Sequence, residues 1–90
     1  METKHRIANI KAILRVTRKE VRRLRLAARE ASNTLRELFQ KVKDDPAHGH
    51  HYYSQIGVVS IDRERALNAV KYNQLEVSKL RLELRDLLRK

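Results

Sequence analysis

Lys11, Arg15, Arg18, Arg22, Arg25 and Arg29 recur at alternating steps of four and three within KAILRVTRKEVRRLRLAAR, residues 11–29. Residues three and four apart share a helix face, so this spacing predicts a cationic stripe about 27 Å long at 1.5 Å per residue. A guanidinium presents a planar fork of donors that matches phosphate oxygens better than a lysine ammonium does. The chemistry on offer is therefore anion binding. Between residues 1 and 29 only Glu2 and Glu20 are present to neutralise ten cations. Like charges at i,i+4 cost about 0.2–0.5 kcal/mol per pair. A solvated coiled-coil flank, the ordinary role of a charged helix face, is the alternative reading, and this shortage of acids weakens it.

The element that must carry this stripe is a long helix. Ile7, Ile10, Leu14, Thr17, Val21, Leu24, Ala28, Ala31, Leu35, Leu38 and Val42 form an a/d heptad seam, with Lys11, Arg18 and Arg25 at e and Arg15, Arg22 and Arg29 at b. Thr3 can cap its start, and the bulge-free pattern predicts a helix over residues 3–43. Asp44-Asp45-Pro46 ends it, because the residue before proline is pushed out of the α region.

A second helix is expected over residues 60–89. Ser60 is a candidate N-cap, followed by Asp62 and Glu64 where the dipole favours anions. Its seam reads Ala66, Val70, Asn73, Val77, Leu80, Leu84 and Leu87, widened by Leu67, Leu82 and Leu88. Residues 44–59, DDPAHGHHYYSQIGVV, then make an ordered connection with a short helical turn around 47–55 and a bend at Gly57. The expected fold is all-α, a single domain over residues 1–90 built as a long antiparallel, coiled-coil-like helical hairpin.

With that connection, opposed residue numbers sum to about 103 in the antiparallel seam. Tyr72 then faces Ala27, Ala28 and Ala31, and Asn73 is a candidate register-setting polar residue. The first ten or so residues would overhang, leaving Ile7, Ile10, Ile13 and Leu14 as an apolar interface. Two helices alone make a thin core. Pairing of two hairpins into a homodimeric four-helix bundle, or docking on another protein, is therefore expected.

Composition agrees with long helices: charged residues are 36% of the chain, aromatics 4%, with two glycines, one proline and no cysteine. The lack of cysteine removes disulfides, thiolate metal sites and cysteine nucleophiles together. No apolar run nears the roughly 20 residues of a membrane span, and the N-terminus lacks a signal-peptide core. A cytoplasmic protein is expected. His48, His50 and His51 cluster in the connection, but their spacing matches no closed tetrahedral site. No metal or cofactor is expected, and a local pH response near neutrality is a separate possibility for these imidazoles.

The net charge of +10 is concentrated in residues 1–43, which hold 13 Lys/Arg against four Glu. A field of this size speeds association with polyanions. The favoured expectation is a non-enzymatic nucleic-acid-binding protein that grips the phosphate backbone of double-stranded DNA or structured RNA through Lys11, Arg15, Arg18, Arg22, Arg25 and Arg29. Phe39, Tyr52, Tyr53 and Tyr72 lie outside the stripe, so stacking on single-stranded bases is not expected there. A basic leucine zipper places its basic region before its heptads, whereas here the two overlap. No zinc-finger spacing or helix-turn-helix turn is visible.

The alternative is a helical adaptor docking on an acidic protein partner through apolar anchors beside the cations. No Ser/His/Asp set or carboxylate pair suggests catalysis. Ser60-Ile61-Asp62-Arg63-Glu64 resembles the Asp-x-x-Arg-Glu opening of the second helix in small all-helical chorismate mutases, whose first helix holds a dicarboxylate with arginines. The resemblance covers five residues, has serine in place of the aspartate, and lacks the third helix. A membrane-surface role is not favoured, because the apolar seam is better explained by helix pairing.

Overall fold

The computed structural model describes residues 2–89, which form α1 (Glu2–Asp44), a 3-10 helix (Pro46–Tyr52) and α2 (Tyr53–Arg89). The two long helices run antiparallel in a rod of 68 × 15 × 14 Å, with no strand among the described residues. Residues 1 and 90 of the expected domain lie outside the described residues.

The α1 seam does what its period requires. Ile10, Leu14, Val21, Ala28 and Leu38 are buried, and the other six seam positions are half-buried. Lys41 and Lys43 occupy the last turn, where cations suit the negative end of the helix dipole. Thr3 is not a cap, since the helix already includes Glu2.

The connection is shorter than expected. Asp45, held before Pro46 at φ −138° and ψ 72°, breaks α1, and a single 3-10 segment then turns the chain. The Asp45 amide donates to the Lys41 carbonyl at 3.1 Å, and the His48 amide to the Asp45 carbonyl at 3.1 Å. Gly49 is buried where a Cβ would stand 3.0 Å from Val42 Cγ1, so a larger residue there would have to push the Val42 side chain aside. Lys41 Nζ lies 5.7 Å from the centre of the Tyr52 ring, a cation–π contact on the same turn.

Helix α2 therefore starts seven residues before Ser60, which is an exposed residue inside the helix and caps nothing. Gly57 makes no bend; it is helical, and nothing lies within 4 Å of the Cβ it lacks. The apolar phase explains this. Stepping back from Ala66, the seam continues through Arg63, Val59 and Ile56, and Val59 and Ile56 are half-buried. Covering them favours helix by more than the roughly 1 kcal/mol that a mid-helix glycine costs relative to alanine. Gly57→Ala should accordingly stabilise the chain by about 0.5–1 kcal/mol, a rise in Tm of about 2–8 °C in thermal unfolding followed by circular dichroism. An unchanged or lowered Tm would place a bend there after all.

The early start of α2 shifts the register by about one and a half helical turns from the one expected, so that Leu14 lies by Leu84 and Val21 by Val77. Arg6 Nε donates to Glu83 Oε1 at 2.6 Å and Arg6 Nη2 to Glu83 Oε2 at 2.7 Å, so the end of α2 reaches the start of α1. Hydrogen bonding to the Arg6 guanidinium holds the Glu83 carboxyl below its usual range. At mid-rod, Arg63 Nε donates to Ser32 Oγ at 2.7 Å.

Three further expectations fail, the first with the register and the other two because the residues lie off the α2 seam. Ile10 is fully covered (0% exposed) and Leu14 nearly so, Ile7 is half-buried, and only Ile13 remains open, so these four do not form a bare interface. Tyr72 points to solvent at 65% exposure instead of filling the alanine run. Leu82 and Leu88 are exposed and do not widen the α2 seam, although Leu67 is half-buried. Asn73 does take a half-buried seam position.

Candidate nucleic-acid interface

Lys11, Arg15, Arg18, Arg22, Arg25 and Arg29 are all exposed and lie along one side of the rod, at the mouth of the crevice between α1 and α2. Lys11, Leu14, Arg15, Arg18, Arg22 and Leu84 line one hollow of about 490 Å³. Arg18, Val21, Arg22, Arg25, Gln74, Val77 and Arg81 line the next, of about 410 Å³. Arg18 and Arg22 belong to both, so the two form one groove with apolar floor residues and cationic walls. Arg29 borders neither hollow but continues the row.

The row also extends beyond its expected end. Ser32, Arg36, Phe39 and Lys43 keep the same four-and-three steps and, with Arg63, line a third hollow of about 410 Å³. Arg36, Lys43, Arg63 and Arg81 are thus cations of this side beyond the six of the expected stripe. The interruption by Ser32 hid Arg36 and Lys43, although the e/b phase continued through it. Arg81, expected in a small basic patch with Arg85 at the far end of α2, stands instead beside Arg18, Arg22 and Arg25, and Arg63 comes from a seam position. Phe39 is 52% exposed at the end of this row, so one aromatic does belong to the basic side.

The acids are sorted to the other side. An antiparallel pair places e opposite e and g opposite g. Glu20, Glu30, Glu37, Asp62, Glu76, Glu83 and Asp86 occupy g and c positions, and the Arg6–Glu83 pair spans that flank. At e and b positions of either helix the sole acid is Glu64. Glu20, the acid nearest the stripe in sequence, accepts from Arg23 Nε at 3.0 Å, and this hydrogen bond lowers its pKa. Among the described residues, none of the six stripe cations has an ion-pair partner. Their charge faces solvent uncompensated.

The histidines give no second site. His48 Nδ1 sits 2.9 Å from Asp45 Oδ2, and the His48 and His51 rings stack at 5.7 Å between centroids. Among the described residues, no group of three or more His, Asp or Glu side chains is placed to hold a metal ion. No helix among them is long and apolar enough to cross a membrane.

The chain matches no protein-family model, no curated protein and no solved structure. The Asp-x-x-Arg-Glu resemblance also loses its structural position. Ser60 to Glu64 lie well inside α2 and do not open it, and Arg63 is engaged with Ser32.

Proposed function

We propose that this protein binds double-stranded DNA or structured RNA through the phosphate backbone, using the α1 arginine row and the cations that flank its groove. The observation that carries the reading is charge segregation: one side of the rod holds the stripe cations with Glu64 as its sole e/b acid, and no intramolecular partner quenches them. Arginine forks spaced about 5 Å apart along a straight helix offer repeated charge-assisted contacts to phosphate oxygens. The major groove is about 12 Å wide and admits one helix. A two-helix rod of 15 × 14 Å is too thick to enter whole, which favours backbone contacts over base readout.

The direct test is binding of a labelled duplex across a salt series, with an acidic protein as control. Duplex binding should fall with a log–log slope of about −0.9 per phosphate contact, giving a slope near −5 for six contacts. No binding at low salt, or equal affinity for the acidic protein with a shallow slope, would replace this reading with docking on an acidic protein surface.

A further inference from the structure

The a/d seam and the basic side account for two faces of α2, and neither accounts for the third. Val58, Ile61, Tyr72, Leu75 and Leu82 are 51–65% exposed. They fall at c and f positions, on the face of α2 turned away from α1. The outer face of α1 carries only Val16 and Leu26 among its exposed large hydrophobics at c and f. The unpartnered apolar row thus belongs to α2. We infer that it is the contact with a second copy of this chain, in which the two α2 helices pack antiparallel about the Tyr72–Leu75 turn.

Two observations select this occupant. Lys71, Gln74, Leu75 and Ser78 enclose a shallow hollow of about 370 Å³ on the outside of α2. These are positions i, i+3, i+4 and i+7, the four residues that form the hole for a coiled-coil knob. Antiparallel pairing centred on Leu75 sets Leu75 of each copy against Leu75 of the other at the edge of this hollow, with the exposed Tyr72 beside it on the same contact face.

Charge complementarity supplies the second. Among the described residues, Glu64, Arg65, Arg85 and Asp86 have no ion-pair partner. The same antiparallel register sets Glu64 of one copy opposite Arg85 of the other, and Arg65 opposite Asp86. Each pair occurs twice by symmetry. A parallel arrangement would instead set Glu64 against Glu64. Glu64, the lone acid of the basic side, then has a role: it marks the seam between copies.

Symmetry fixes what such a dimer presents. An isologous antiparallel contact requires a two-fold axis perpendicular to the helices and to the line joining them. That axis keeps both basic sides on the same surface of a four-helix layer, so two arginine rows are displayed together. The contact itself does not depend on the nucleic-acid reading and is tested without nucleic acid.

The test is the molar mass of the full chain by light scattering and sedimentation, up to about 100 μM. The wild type should be dimeric, and Leu75→Glu should be monomeric with unchanged helicity, since Leu75 is 63% exposed and supports no core. Glu64→Arg should weaken the dimer by about tenfold or more, and Glu64→Arg combined with Arg85→Glu should restore it. A monomeric wild type overturns the proposal, as does a dimer indifferent to Leu75→Glu. A dimer weakened by Leu75→Glu but insensitive to the charge changes overturns the antiparallel register. Loss of duplex binding by a proven dimer would count against the proposed function alone.

Discussion

Changing Arg15, Arg18, Arg22 and Arg25 together to Gln should reduce duplex binding by about a thousandfold at ~0.1 M salt. The magnitude follows from counterion release. Each phosphate contact contributes a salt exponent of about 0.9, or roughly eightfold in affinity between 1 M and 0.1 M salt. Four contacts multiply to the order of a thousandfold. The log–log slope should become shallower by about 3.6. The helices should persist, because Gln has nearly the helix propensity of Arg and the change removes like-charge repulsion along the stripe. All four side chains are exposed, although Arg18 and Arg22 line the groove with their stems. Binding isotherms at several salt concentrations, with helicity measured on the same samples, give both readouts. Unaltered binding by a folded variant would remove the stripe from the site.

The second large effect is on stability. Ile10→Ala should destabilise the hairpin by about 2–5 kcal/mol, because it deletes the one large side chain that is completely buried among the described residues. For a domain of this size that corresponds to a loss of at least about 8 °C in Tm. The loss should be similar in dilute and concentrated samples, since Ile10 is covered by α2 of its own chain. An effect seen only at concentrations where copies associate would return Ile10 to an interface between molecules. Two long helices share a thin core, so few other contacts can compensate for the cavity.

These two expectations rest on different kinds of legibility. The arginine row and the α1 seam are periodic within one helix, and a helix converts sequence spacing directly into angular position. Every α1 seam residue from Ile7 to Val42 is consequently buried or half-buried, and every stripe cation is exposed. The end of α1 before Pro46 was legible for a similar local reason. The start of α2 was not. Ser60, followed by acids, carries the local marks of a cap, and Gly57 those of a breaker. The heptad phase running back through Val59 and Ile56 contradicted both. Burial against α1 outweighs cap and propensity terms of about 1 kcal/mol.

The sequence by itself determined that this protein forms two long helices, with one seam on each and a cationic row on the first. The tertiary structure decided the offset between them. Periodicity sets the phase of a seam around its own helix but leaves sliding along the partner free. That sliding is set by where the chain turns, and the turn is complete within Asp45 and the 3-10 segment Pro46–Tyr52, with Gly49 buried against Val42. From this one offset follow the burial of Ile10, the Arg6–Glu83 pair, and which α1 residues Arg63 and Arg81 stand beside.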